Sequence, residues 1–575
     1  MKKIIGFLLL CVVAGGVLYM VIPKKTLRNL YFYAKSLNAT KKQAEPVLAV
    51  FDRNTKDLKV QTDSFQYVNF RLNDTYNQVP DGISTINKTR PVFITVDIYN
   101  NFTAENPLES VAGGKYDKKI KELFSHFSKS PNQIFVRMNP EMEVPVNLYS
   151  WQGQSPLIYD EAFIRFATIC KKVLPNAKII WSTAGYPGVL EYYPGDDLVD
   201  FVSVTLQTAS EKATKDFKGY RSIAAEAEAK VQRMRFLNKP VMVLGQPNHN
   251  LNPSLKNELA LVAQNIHKNK DLFYGTISAE GIKHNSFNKV RTTLNLGVYD
   301  PKQELNLLNE ISIEHLFPNW GDLKSGSFRK EFNAVIARNH DVIVTMEPWR
   351  DTGGISDPDV LANTIKGRYD EQLKELFKIL SAVKQTVYLR WTHEMEIPIT
   401  RYPWQSQPTV DYITAFRHFA SFRKPENKNI KLVFGPAGDR GLQDFWPGDD
   451  VVDYISMAIY GLPDKNITDH KKQESFQTIY NRKLYRMRFF NKPILISEFG
   501  ISGPEDFKFE WLMAASKTIN GNPQIKAVCY FNMVDSPKAW GDIEAPDWSV
   551  SKETFSSFIE SLNLGTTHSH LVSNR

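Results

Sequence analysis

At 575 residues the chain is too long for one ordinary domain, and its size points to two to four. Apolar residues make up 42% and charged residues 23%, the balance of a folded globular protein, which excludes an intrinsically disordered one. The net charge of +9 is spread along the chain, and no basic run interleaved with aromatics supports nucleic-acid binding.

The amino terminus is the first element. Lys2 and Lys3 precede an uncharged apolar stretch from Ile4 to Ile22, closed by Pro23, Lys24 and Lys25. A helix of that length covers roughly 28 Å, about the hydrocarbon thickness of a bilayer. The apolar region is longer than in most cleaved signals, and no convincing small-residue cleavage site follows. Residues 1–25 are therefore expected to form a transmembrane anchor, with the rest on the periplasmic or extracellular side of an inner membrane. Secretion after signal cleavage is the alternative. Cys11 lies in this leader, while Cys170 and Cys529 sit in apolar contexts that suggest core positions, so no disulfide framework is expected.

The remainder is written twice. Gly114-Lys-Tyr-Asp117 recurs as Gly367-Arg-Tyr-Asp370, an offset of 253 residues. The offset holds without a gap at Arg137 and Arg390, Glu141-Met-Glu143 and Glu394-Met-Glu396, Trp151-Gln152 and Trp404-Gln405, and Pro194-Gly-Asp-Asp197 and Pro447-Gly-Asp-Asp450. A period near 250 is too long for a solenoid and is the usual size of a (β/α)₈ barrel. The expected fold class is α/β, with two tandem (β/α)₈ TIM-type barrels at about 45–285 and 295–562 and a flexible tail at 565–575. In the second copy short apolar strands, at 342–346, 387–390, 431–434, 453–457 and 494–496, alternate with amphipathic helical stretches at 369–380 and 411–423.

Polar residues at the carboxyl ends of barrel strands face the active site. In the second copy Arg390 runs into His393 and Glu394, Ile494-Leu-Ile496 runs into Glu498, Met346 runs into Glu347-Pro348-Trp349, and Ile459 runs into Tyr460. Two carboxylates across a barrel mouth suit glycosidic hydrolysis, where one protonates the leaving oxygen and the other attacks the sugar carbon. The attacking group must stay ionised, and Arg390 and Tyr460 are its candidate donors. Any lone strand-end glutamate is more often structural; the pair, among aromatic loops, reverses that weighting. No second histidine is spaced to share a metal with His393, and neither metal nor cofactor is expected.

At these residues the second copy resembles glycoside hydrolase family 26, a family of retaining barrels that includes β-mannanases and mixed-linkage β-glucanases. The likeness runs from Glu347-Pro348 through Gly367-Arg-Tyr-Asp370, Arg390, His393-Glu394-Met395, Tyr402-Pro-Trp404, Trp446-Pro-Gly-Asp-Asp450 and Ser497-Glu498-Phe499-Gly500 to Asp547-Trp548. The resemblance implies Glu394 as acid/base and Glu498 as nucleophile, with Tyr460 beside the nucleophile. It also implies Trp404 and Trp540 as sugar-stacking residues, and His393, Arg390, Tyr460 and Trp349, read from their places at the strand ends, complete the expected substrate-binding set. Glu396 replaces a common asparagine, and a typical asparagine is missing around Ala437; both changes are expected in the substrate cleft. The first copy has Pro140 in place of the histidine and Gly245 in place of the nucleophile, so it is expected to be catalytically dead, as scaffold, glycan-binding module or docking surface. The expected function is a retaining endo-β-glycanase, membrane-tethered at the cell envelope, acting on a β-linked polysaccharide. Its expected partners are that polymer, the membrane and a polysaccharide synthase complex. The alternative is a non-hydrolytic glycan-binding or assembly subunit of an export machine.

Overall fold

The computed structural model describes residues 45–52, 65–73, 86, 88–99, 106–214, 219–246, 252–268, 292–349, 356–399, 401–405, 407–461, 473–537 and 544–564. The expected membrane segment and tail lie outside these residues, and among those described no helix is long and apolar enough to cross a membrane. The chain divides into two compact units that part between His284 and Asn285.

The first unit carries strands β1 (Val47–Phe51), β2 (Gln66–Leu72), β3 (Val92–Ile98), β4 (Ile134–Met138), β5 (Lys178–Thr183), β6 (Phe201–Thr205) and β7 (Val241–Leu244). Neighbours from β2 to β7 pair in parallel, in sequence order. Amphipathic helices connect them. In the helix Pro156–Val173, Tyr159, Phe163, Phe166 and Cys170 recur every three or four positions and are buried as one stripe. The expected closed eight-stranded barrel does not form here: among the described residues the sheet has seven strands and is open. The reason is β1, which runs antiparallel along β7, Val47 opposite Leu244 and Phe51 opposite Val241, and takes the edge a parallel closing strand would need. The sheet still curls. Val47, Phe65, Phe93, Ile180, Met242 and Leu244 meet in one core, and the Val47 amide donates to the Tyr67 hydroxyl of β2 at 3.1 Å.

β1 also delivers a charge. Glu45, just ahead of it, forms an ion pair with Arg137 of β4 at 2.9 Å, and both side chains are about 95% buried (4% and 5% exposed). The Arg137 guanidinium also donates to Thr95 Oγ1 (2.8 Å) and Ser182 Oγ (3.0 Å).

The second unit is a closed barrel: β8 (Asn295–Tyr299), β9 (Ile311–Leu316), β10 (Asp341–Met346), β11 (Val387–Trp391), β12 (Ile430–Phe434), β13 (Tyr454–Gly461), β14 (Ile494–Ile501) and β15 (Ile525–Phe531), all parallel, with β15 pairing back to β8. The helices follow the expected pattern. Asp370–Ser381 buries Leu373, Leu376, Phe377 and Leu380, and opens with Asp370 and Glu371 against the positive end of its dipole. The barrel is filled, not hollow: Ile313, Ile343, Tyr388, Val433, Leu495 and Cys529 converge as one interior layer.

Removing one partner of a buried ion pair leaves an uncompensated charge, at a cost of about 3–5 kcal/mol. Glu45→Ala is therefore expected to destabilise the first unit by that order. Denaturant unfolding followed by limited proteolysis should show the loss confined to residues 45–284; unchanged stability would mean that Arg137 has another counter-charge.

Candidate active site

The floor of the candidate site follows from strand alternation. Two residues beyond Ile313, Ile343, Tyr388, Val433 and Leu495, on the same inward face, stand His315, Thr345, Arg390, Gly435 and Ser497, while Phe531 follows Cys529. The interior thus changes from apolar to polar within one repeat towards the carboxyl ends. Arg390 is its centre, wholly buried, donating from Nε to Thr345 Oγ1 (2.8 Å), from Nη1 to Ser497 Oγ (2.7 Å) and from Nη2 to the Glu498 carboxylate. A Cβ at position 435 would overlap Arg390 Cγ and Cδ, so glycine there makes the room that the long side chain fills.

Strict alternation after Leu495 would bring Ser497 inward and turn Glu498 outward. The register shows why both face the site. Met457 of β13 lies opposite Ile496, and the next residue, Ala458, lies opposite Glu498, so Ser497 is an extra residue in a bulge. Glu498 then accepts Arg390 on one oxygen and the Tyr460 hydroxyl on the other, at 3.0 Å.

Glu394 follows β11 in a tight turn. Thr392 and Glu394 both adopt left-handed backbone (φ +48° and +55°), a strained state for non-glycine residues. The turn is held on three sides: the Glu394 amide donates to Gly435 O (2.8 Å), Gln405 Nε2 to Glu394 O (3.0 Å), and Trp404 Nε1 to His393 O (2.7 Å). Burial, reinforced by the Glu498 charge, pushes the Glu394 carboxyl up to about 8, although Arg390 pulls the other way. Glu347, at the end of β10, is pushed up to about 7 by burial despite the bond it accepts from Trp349 Nε1 (3.0 Å). His393 is buried and held well below its ordinary pKa, chiefly by burial and then by Arg390, so its 3.8 Å approach to Glu347 is a contact of a neutral ring.

The structure therefore brings Arg390, His393, Glu394, Tyr460 and Glu498 together, with Trp349 half-buried beside Tyr402. Two expectations are corrected. Trp404 is fully buried and stacked on Tyr402 (4.7 Å between ring centres), so it braces the Glu394 turn and offers no face to sugar. Glu396 does not line a cleft: it is buried, accepting from the Gly438 and Asp439 amides at 2.9 and 2.8 Å, and clamps one loop to another. Trp540 lies outside the described residues. Sequence reasoning passed over His315, Thr345, Gly435 and Ser497 as site residues; their signal was position, two steps along each strand from an inward apolar residue.

The first unit shares the frame. Asn139 and Glu141 repeat the left-handed turn (φ +42° and +60°), Trp151 Nε1 and Gln152 Nε2 donate to Pro140 O and Glu141 O at 2.9 Å each, and Glu143 accepts from Gly185 and Tyr186. Gly245 has no side chain to offer Arg137; its amide is bound by Pro46 O, and Glu45 meets the arginine instead.

No family model matches the chain. Endoglucanase H of Acetivibrio thermocellus is 25% identical over 276 residues, which cover 45% of this chain and 28% of that protein. A beta-1,3-xylanase of Alcaligenes sp. is 26% identical over 177 residues (30% of this chain, 33% of that one), and beta-1,3-xylanase TXYA of Vibrio sp. is 28% identical over 181 (30% and 35%). The chain spans about a third of the length of these curated relatives. Among solved structures, GH26C of a Muricauda species is 13% identical with a TM-score of 0.36, covering 47% of this chain and 85% of that one. A β-mannanase from a symbiotic protist of the termite Reticulitermes speratus is 16% identical with a TM-score of 0.32, covering 47% and 86%. The sequence relatives are glycoside hydrolases, and they support a glycosidase fold for this chain.

Gly435→Ala is expected to displace Arg390 and loosen its hold on Glu498. In a crystal structure of the variant the guanidinium should move by more than 1 Å; an unmoved Arg390 would show that the glycine is not what makes its room.

Proposed function

We propose that the second unit is a retaining glycoside hydrolase acting on a β-linked glycan of mannan, β-glucan or β-1,3-xylan type, with Glu498 as nucleophile and Glu394 as acid/base. One observation carries the reading: a carboxylate gripped by an arginine and a tyrosine faces a second, buried carboxyl whose pKa is raised. Arg390 and Tyr460 donate to Glu498, while burial and the charge of Glu498 keep a proton on Glu394.

In the first step a Glu498 oxygen attacks the anomeric carbon as the Glu394 proton passes to the departing glycosidic oxygen, leaving a glycosyl ester on Glu498 and an ionised Glu394. In the second, Glu394 takes a proton from water, whose oxygen attacks the same carbon and releases Glu498. Configuration is inverted twice and so retained. Endo action and family 26 specificity are part of the proposal, supported by the endoglucanase among the relatives and by the motifs from Glu347 to Trp548.

The two units are read as a duplication whose first copy has lost catalysis and serves as scaffold, glycan-binding module or docking surface. The apolar leader and its flanking lysines support anchoring at the cell envelope, where trimming of a polymer during synthesis or export fits a tethered enzyme.

Reducing-sugar release from mannan, mixed-linkage glucan, cellulose and β-1,3-xylan tests the activity; binding without turnover on every polymer would favour a non-hydrolytic assembly subunit. Glu498→Ala and Glu394→Ala should each lower turnover by on the order of 10³-fold or more. Azide should rescue Glu498→Ala and yield the inverted glycosyl azide; full activity in either variant would overturn the roles. Glu141→Gln should leave turnover unchanged.

The pH dependence follows from the sign of the shift. A general acid works while protonated, and a raised pKa extends that form upwards, so kcat/KM should hold through neutrality and fall above about pH 8. A fall already complete by pH 6 would contradict Glu394 as the acid.

A further inference from the structure

We infer that His315 is a positioning residue for the Glu498 nucleophile, acting through Thr345 on Arg390 and through the Ser497 carbonyl on the bulge that turns Glu498 inward. The inference rests on the hydrolase reading of the second unit.

His315 is buried on β9, one of its ring nitrogens against each arm of the site. Nδ1 lies 3.1 Å from Ser497 O, and Nε2 lies 2.7 Å from Thr345 Oγ1. The tautomer follows by elimination. A carbonyl oxygen only accepts, so Nδ1 carries the hydrogen. Thr345 Oγ1 already accepts Arg390 Nε–H at 2.8 Å, leaving its own proton for a partner, and a neutral His315 presents Nε2 as the acceptor. The ring is stacked on Phe317 (4.1 Å between centres), and burial together with the Arg390 charge holds its pKa well below the ordinary value.

The consequence is a directed chain. With its proton engaged by the imidazole, the Thr345 oxygen turns a lone pair to Arg390 Nε. Ser497 Oγ and Glu498 hold the other edge of the guanidinium, so its three anchored N–H groups fix its plane and point Nη2 at the nucleophile. At the other arm, Nδ1–H meets the carbonyl of Ser497, the residue that the bulge inserts. One neutral ring therefore ties the guanidinium that meets Glu498 to the backbone that carries it. A positively charged His315 would put a second hydrogen against Thr345 Oγ1 and a second cation beside Arg390.

The test uses the full chain. His315→Ala should lower kcat/KM about 10- to 100-fold on whichever polymer the wild type cleaves, and raise the pH of the acidic limb, because a loosened Arg390 stabilises ionised Glu498 less well. Thr345→Val should give the same pH shift, and His315→Ala in that background should add little to it. His315→Gln, whose amide reaches the Nε2 position, should recover part of the loss. An acidic limb unmoved in both single variants would overturn the inference while leaving the hydrolase reading intact. Should no polymer be cleaved, ¹⁵N NMR of the histidine ring still decides: the inference requires a neutral Nδ1–H tautomer from pH 5 to 8. A ring that titrates in that window, or the Nε2–H tautomer, would end it.

Discussion

A guanidinium buried in the interior of a barrel is the constraint on which the second unit's site depends. Taking an arginine out of water is tolerable only where its N–H groups meet acceptors and its charge meets an opposite one. Thr345, Ser497 and Glu498 satisfy that demand. Thr345 faces inward by plain alternation along β10. Ser497 does so by alternation along β14, Glu498 joins it only because β14 is bulged, and the arginine reaches them only because position 435 has no Cβ. The geometry at the strand ends is thus a packing solution to one charge.

That charge also explains how neighbouring acids come to differ. Arg390 contacts Glu498 directly and acts on Glu394 only at a distance, so burial wins at Glu394 and the proton stays. Glu347 is raised too, to about 7 and also through burial, so near neutrality it is divided between its two forms. The same logic operates in the first unit with different parts. Arg137 is equally buried and no carboxylate follows β7, so a counter-charge comes from outside the barrel pattern: Glu45, carried in by the antiparallel β1. An arginine that once buried must be answered explains why the strand that prevents closure also brings an acid.

Much of this was legible in the sequence, for identifiable reasons. Continuous apolar runs such as Val342–Val344 located the strands, and the 253-residue offset marked two units of similar design. Glu394, Glu498, Arg390 and Tyr460 were legible because strand-end polar residues in such a pattern point to one mouth. What escaped was set by tertiary detail. The first unit's open sheet depends on the direction of β1, and five apolar residues carry no sign of whether they will run parallel or antiparallel. Trp404 looked like a sugar platform because an aromatic in a loop after a strand reads the same whether it faces solvent or braces a turn. His315, a lone histidine in Ile-Ser-Ile-Glu-His-Leu, gains meaning only once Ser497 and Thr345 are beside it.

The comparison between units separates scaffold from chemistry within a single chain. The Trp–Gln brace and the clamp at Glu396 recur at Trp151, Gln152 and Glu143 with nearly the same hydrogen-bond lengths, although Gly245 stands where the second unit has Glu498. The left-handed turn at Glu141 recurs as well, so backbone strain at Glu394 belongs to the loop before it belongs to any reaction. Motifs of this kind therefore weigh less for activity than their number suggests, since a barrel keeps them to hold its loops. The informative positions are the ones where the units part: His393 against Pro140, Glu498 against Gly245, and Gly435 against Ser182, where the first unit's serine accepts from Arg137 and the second unit's glycine leaves room for the Arg390 side chain.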